Sequence, residues 1–491
     1  MQTSTDYKAR IARQFGFALK DPNPNIRFIA IEGLQLLPDV PELEGIPALM
    51  NDTDRFVRWK ATQACGLLGL ESSVAALIKF LQSPDFHTRV YAAQSLGLIG
   101  TPECLEALTQ AARAEGSPKV RQAITATFGH FPSSMPWDLM FRTAHDADVG
   151  VRLETAKALG KAVPNEQACQ ILITMLEQET NNQVFATAVH SLGQFKKSSL
   201  VSYFEHCLAH QEPRIRANAI EALGCFPLPT VEKVILPYLN DPANRVKANV
   251  VHVFLANNQP GKVEKNLVGL LVSPRQFERA SGAWLAGTFR LTDTQPILIK
   301  LLSDEEGIVA ERAAWALGRI KAPDTFSALQ TAYANANQWA LAHIIKAMSE
   351  VVGAAEAPTI ARLMSKEHSP LHRSQFLDIL TDLAYTSALS EALKYRSDAD
   401  HRLRLSAFRF IGLHGGAESR DILFQGLGEP NPKVRALCAD LMIRNGDFRA
   451  LKTLSELLNE QDKMQRLQAA HTLKEMAVLT KRDVAEPSKP G

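Results

Sequence analysis

Fifteen times in 491 residues the chain returns to one pattern, and this repetition constrains the fold more than any single motif. The segments DRFVRWKATQACGLLG (54–69), DVGVRLETAKALG (148–160), PRIRANAIEALG (213–224), EGIVAERAAWALGRI (306–320) and DHRLRLSAFRFIG (400–412) share a core. It consists of an apolar residue, Arg, two residues, Ala, and a Leu-Gly about five positions on. Taking the Arg as anchor, the series runs Arg27, Arg58, Arg89, Arg121, Arg152, Phe185, Arg216, Lys247, Arg279, Ala310, Leu341, Arg373, Arg404, Arg435, Arg466. Twelve of the fifteen are basic, and the mean spacing is about 31 residues. A Gly stands eight positions after the anchor in nine periods, Gly66, Gly160 and Gly287 among them.

Each period reads as two helices. The first is a run such as VAALIKFLQ (74–82) or SALQTAYAN (327–335). A stop follows, often Asp21-Pro22, Ser83-Pro84, Asp241-Pro242 or Ser273-Pro274, whose Asp or Ser is expected to cap the second helix. The Gly at +8 is expected to end it in the left-handed conformation. Alanines at +3, such as Ala61, Ala219 and Ala313, allow close helix approach. One hairpin of this size cannot bury both apolar faces, whereas a stack shares a continuous core. The expectation is an all-α solenoid of about fifteen two-helix repeats, one domain over 1–478 with 479–491 as a disordered tail. With helices packed 8–10 Å apart, it would be a curved rod of about 120–150 Å contour. Basic anchors recurring beside Asp21, Asp52, Asp146, Asp241 and Asp304 suit a ladder of hydrogen bonds between repeats.

The pattern D-x-x-x-x-V-R-x-x-A-x-x-A-L-G resembles HEAT repeats, specifically the short type named after phycobilisome lyases. The likeness is strongest in repeats 2–5, 7, 9–10 and 13. It weakens over 322–400, where Leu341 replaces the basic anchor, so that segment is either a hinge or a divergent stretch. The resemblance implies an armadillo-like superhelix used mostly for protein–protein scaffolding, and no particular activity. It also raises three catalytic possibilities. Deoxyhypusine hydroxylase holds iron with His-Glu dipeptides, and none of the thirteen histidines here precedes a Glu. Bilin lyases share the repeat type, but no residue here stands out as carrying lyase chemistry. HEAT-like DNA glycosylases use a basic face, and a net charge of +2 gives that little support.

Composition narrows the classes further. Hydrophobic residues make up 46% of the chain and aromatics only 7%, so the core is aliphatic. The near balance of charge argues against a nucleic-acid binder. No run of about 18 apolar residues occurs, so no membrane association is expected. MQTSTDYKARIARQF carries no apolar signal region, and the six scattered cysteines form no CxxC pair. Both point to a cytoplasmic protein with reduced thiols.

No nucleotide-binding, nucleophile-elbow or kinase motif is present, and no catalytic residue, cofactor or metal is expected. His206 and His210, four apart beside Cys207, lack the Glu of an HExxH zinc site and read as a polar helix face.

The second helix of such a repeat usually lines the concave surface. Positions +2 and +5 lie three apart on one stripe and are mostly polar, as in Asn218/Glu221, Asn249/His252, Arg312/Trp315 and His343/Lys346. Trp284 and Trp315 occupy +5 in consecutive repeats, with His252, Arg312, His343 and Lys346 beside them. They form either a binding patch for a protein partner or indoles lying flat that widen the core. Trp59, at +1, reads as core. The chain is therefore expected to be a non-catalytic scaffold or adaptor binding a protein on its concave face. Alternatives are a lyase-like or chaperone role for a chromophore- or cofactor-bearing protein, and nucleic-acid binding, whose basic stripe Glu154, Glu221, Asp378 and Asp440 would interrupt.

Overall fold

A computed structural model describes residues 4–162, 164–336 and 338–485. Among them every regular element is helical, and the fold is an all-α solenoid. All fifteen anchors fall inside a helix, from Arg27 in Pro24–Leu34 to Arg466 in Lys463–Ala485. In the second repeat Pro41 and Pro47 hold the first element to two 3-10 turns, Pro41–Gly45 and Pro47–Asn51, because neither can donate a backbone N–H. The chain forms two compact units, Met1–Leu139 with Ala384–Gly491, and Met140–Leu383. The few aromatics include the largest fully buried side chains, Phe15, Phe128 and Phe410 in the first unit and Phe204, Phe254 and Phe376 in the second.

The turn before several second helices divides its work between two residues, which corrects the expected capping. Where a side chain caps the helix, it is that of the residue four before the anchor; Ser117, Ala243, Arg275 and Glu306 at that position make no such bond. Asp54 accepts from the Phe56 and Val57 amides, Asp85 from His87 and Thr88, and Asn181 from Gln183 and Val184. The residue six before the anchor takes a different role. Asp52 accepts from the Asp54 amide, while the previous repeat's anchor, Arg27, reaches the same carboxylate with two bonds of 2.8 and 2.7 Å. Arg27 also donates to the Asp21 and Pro22 carbonyls of its own turn. One guanidinium thus ties two successive turns together through a fork geometry that Lys cannot reproduce.

The ladder recurs in both units. Arg89 meets Glu115, and Arg404 meets Glu429, in the first. Arg152 meets Glu179, Arg216 meets Asp241 and Arg279 meets Asp304 in the second, each pair in bidentate contact at 2.7–3.0 Å. Where the anchor is not Arg, the partner changes with it. Phe185 lies against the His210 ring, and Lys247 reaches Glu278 instead of a turn residue. Glu367, which follows the Leu341 repeat, is engaged by the Tyr333 hydroxyl and faces His372 at 3.5 Å.

The recurrent Gly at +8 is not a left-handed cap. Positive φ occurs instead at Gly69, Gly100, Gly416 and Gly446. The +8 glycines lie where consecutive second helices touch. A Cβ on Gly66 would stand 2.4 Å from the Ser95 Cα, and one on Gly287 2.7 Å from the Ala316 Cα. The facing residue is the +6 position of the next repeat in both cases, so Gly is required by close approach rather than by backbone conformation.

Within the first unit the last repeat docks on the first. Helix Lys463–Ala485 packs along helix Pro24–Leu34, Arg466 Nε donates to Asp21 at 2.9 Å, and Lys474 Nζ meets Glu32 at 2.5 Å. The end repeats of a solenoid expose apolar faces that need covering, and here each covers the other. The last helix continues to Ala485 with Thr480 buried inside it, so residues 479–485 are helical, contrary to the expected tail. Residues 486–491 lie outside the described residues.

Candidate functional site

The second helices bury +3, +4, +6 and +7 against their neighbours. In Gln276–Thr288 these are Gly282, Ala283, Leu285 and Ala286; in Gly307–Ile320 they are Ala313, Ala314, Ala316 and Leu317. Spacing of i, i+4, i+7 and i+11 then leaves −2, +2, +5 and +9 on one outward face. On these two adjacent helices the face carries four large apolar side chains. Phe277 is 61% exposed, Trp284 39%, Ile308 40% and Trp315 36%. The stripe read from sequence held only the two tryptophans. Phe277 and Ile308, at −2, extend it, and carrying the same helical period one turn towards the N-terminus would have found them.

Each tryptophan leans on the helix before it. Trp284 stacks on His252, with centroids 6.0 Å apart and planes at 15°. Trp315 lies over Gly287, where a Cβ would come within 2.6 Å of the indole, and Arg319 sits 5.9 Å above its ring. Burial lowers the His252 pKa, and Glu221 only partly opposes it, which favours the neutral imidazole under Trp284. Of the other expected contact residues, His343 faces Glu311 at 3.8 Å. Arg312 is half-buried, Lys346 is exposed, and neither forms an ion pair among the described residues. The tryptophans are therefore neither core nor free of support. They are semi-exposed platforms, Trp284 stacked on an imidazole and Trp315 beneath a guanidinium.

Nearer the start of this unit the same face is polar and internally satisfied. Glu221 accepts from Arg245 at 2.9 Å and from Asn249 at 2.9 Å, with His190 at 3.8 Å. Burial alone would raise its carboxyl, but the His190, Arg245 and Asn249 hydrogen bonds and the Arg245 charge outweigh it and hold the pKa at about 2. Asn218 and Asn249 donate to the Ala186 and Ala217 carbonyls of the preceding helices, which gives these stripe residues a structural role.

The first unit carries its own aromatic group. Trp59, expected in the core, is half-buried and stands edge-on to Phe56 at 5.7 Å, with His87 at 5.3 Å, Tyr91 at 6.0 Å and the Arg55 guanidinium at 5.7 Å. It reaches outward because +1 borders the exposed face near the helix start, where Phe56 at −2 offers a ring to pack on. His206 and His210 turn to separate backbone partners, the Ser202 carbonyl and the Glu212 amide. Among the described residues no group of His, Cys, Asp or Glu is placed to hold a metal ion, and no helix is long and apolar enough to cross a membrane.

Comparison with known proteins places this architecture. Residues 43–129, 105–193, 173–254 and 263–349 match HEAT repeats. The phycocyanobilin lyase subunit alpha of Picosynechococcus sp. is 36% identical over 95 residues, covering 16% of this chain and 35% of that protein. The chain thus spans about a third of the length of this relative. Among solved structures, Kap95 in the Kap95:Nup1 complex aligns over 98% of this chain and 79% of its own, with TM-score 0.54 and 13% identity. The CpcE–CpcF complex of phycocyanin lyase from Nostoc sp. PCC7120 aligns over 49% of this chain and 94% of its own, with TM-score 0.31 and 19% identity. With repeats matched over more than half of its length, the chain belongs to the HEAT-repeat family.

Proposed function

We propose that this protein is a non-catalytic scaffold that binds a protein partner on the outward face of its second helices. The observation that carries this reading is the set Phe277, Trp284, Ile308 and Trp315, exposed on two adjacent helices and flanked by Arg312, His343, Lys346 and His252. Contiguous exposed apolar patches on proteins mark interaction sites, and Trp and Arg are among the residue types most enriched at interface hot spots. A fold shared with Kap95, solved in complex with Nup1, is compatible with this use. The six free cysteines fit a reducing cytoplasm.

Affinity capture with the wild type and a Trp284→Ala/Trp315→Ala variant tests the reading. Partners retained by the wild type and lost by a variant of unchanged circular dichroism support it. An identical partner set with both proteins contradicts it. A second reading, handling of a chromophore-bearing protein, is favoured by the 36% identical stretch shared with the lyase subunit. A visible-absorbing species co-purifying with the chain would support that one instead.

A further inference from the structure

Where helix Gln276–Thr288 begins, the outward face runs into an open pocket of about 450 Å³. Phe277, Asn244, Glu305 and Glu306 contribute to its wall. Asn244 fixes that wall, its Nδ2 donating to the Phe277 carbonyl at 2.8 Å and to the Ser281 hydroxyl at 2.9 Å. Of the two cations that also line the pocket, Arg279 is held by a carboxylate, while Arg275 is 68% exposed and makes one longer contact. Arg275 lies 3.4 Å from Glu278, and Arg279 holds Asp304 with two bonds of 2.7 Å. Glu305 and Glu306 form no ion pair among the described residues, though the nearby Arg279 charge screens both in part, so the pocket presents two carboxylates that no cation contacts directly, beside an exposed aromatic ring. Towards the other end of the same face the sign reverses, with Arg312, Arg319 and Lys346 around Trp315. The face is acidic at the turn, aromatic in the middle and basic beyond.

We infer that the partner is a charge-polarised protein segment whose apolar residues seat on Trp284, Ile308 and Trp315, with an arginine or lysine entering the Phe277–Glu305–Glu306 pocket and an acidic residue meeting Arg312 and Lys346. This rests on the proposed binding face and adds to it the chemistry of the occupant. A cation in the pocket gains the π face of Phe277 and two carboxylates together, and the opposed charges at the two ends exclude segments that are acidic throughout or basic throughout.

The test uses the full chain and three fluorescein-labelled synthetic peptides sharing one Leu/Phe centre. One carries Arg at one end and Glu at the other, one carries Gln in place of Arg, and one carries Gln at both ends. The polarised peptide is expected to bind about ten-fold more tightly than the peptide lacking Arg, an advantage that shrinks in 0.5 M salt. Glu305→Gln/Glu306→Gln is expected to abolish that advantage while leaving the Gln-ended peptide unchanged. Trp284→Ala/Trp315→Ala is expected to weaken all three. Equal binding of the Arg and Gln peptides, an advantage that survives the glutamate replacements, or no binding of any peptide overturns the inference. In the first two cases a loss caused by the tryptophan replacements would still uphold the binding face, because that readout does not depend on charge. If Glu305 and Glu306 serve only the dipole of the helix they precede, their replacement will lower stability and leave peptide selectivity unchanged.

Discussion

Arg466 and Asp21, 445 residues apart in sequence, form a contact of the ladder that joins consecutive repeats. Arg466 Nε donates to the Asp21 carboxylate at 2.9 Å, its Nη1 donates to the Glu460 and Gln461 carbonyls at 3.0 Å, and Asp21 also accepts from the Asn23 amide. Arg27 treats Asp52 and the Asp21 and Pro22 carbonyls similarly, with a second bond to the carboxylate that Arg466 lacks. The first and last repeats therefore meet as neighbours do.

If that equivalence holds, the pair should be energetically equivalent too. A double-mutant cycle on Arg466→Met and Asp21→Asn should give a coupling of about 1–2 kcal/mol in urea unfolding, comparable to Arg27→Met with Asp52→Asn. Hydrogen exchange should accelerate in both Pro24–Leu34 and Lys463–Ala485 when either partner is removed.

The glycines separate close approach from conformational need. Gly66→Ala drives a methyl into the Ser95 backbone and should destabilise by about 1–3 kcal/mol. Gly269, helical and with nothing within 4 Å of a built Cβ, should behave oppositely, Gly269→Ala stabilising by about 0.5–1 kcal/mol. Thermal melts of the two variants decide the matter.

Acid should weaken the chain through carboxylates held below their usual range. Burial would raise Asp52, Glu179 and Asp241, but Arg27, Arg152 and Arg216 outweigh it and lower all three, as the partners of Glu221 lower that residue to about 2. A lowered folded pKa means the stabilisation is present above the unfolded value near 4 and is lost as pH falls towards 2. Urea midpoints should fall across that window, and Glu221→Gln should flatten part of the slope.

The stack of His252 on Trp284 provides an optical probe. Because burial lowers the His252 pKa, its protonation in the folded state occurs below pH 6.5. Trp284 emission should drop as pH falls through that transition, and His252→Phe should remove the step.

Much of this was legible in the sequence. The anchors, the two-helix repeat and the polar +2/+5 stripe follow from spacing alone, since helical period and repeat register fix which positions face outward. Functions shared between repeats were harder to read. The Asp before Pro242 looks like a cap but serves the previous repeat's Arg216, the Asp before Pro22 serves Arg466, and Gly66 looks like a helix stop but makes room for Ser95. Trp59 was misplaced because an average burial phase ignores what a neighbouring side chain such as Phe56 can stack against.

The central claim, that partners bind the outward face of the second helices, is tested most directly by site-specific photocrosslinking. A benzoylphenylalanine replacing Ile308 should crosslink a protein partner, while the same group replacing Val268, equally exposed but on the first helix Glu264–Leu271, should not. Crosslinking from 268 and none from 308 would contradict the account.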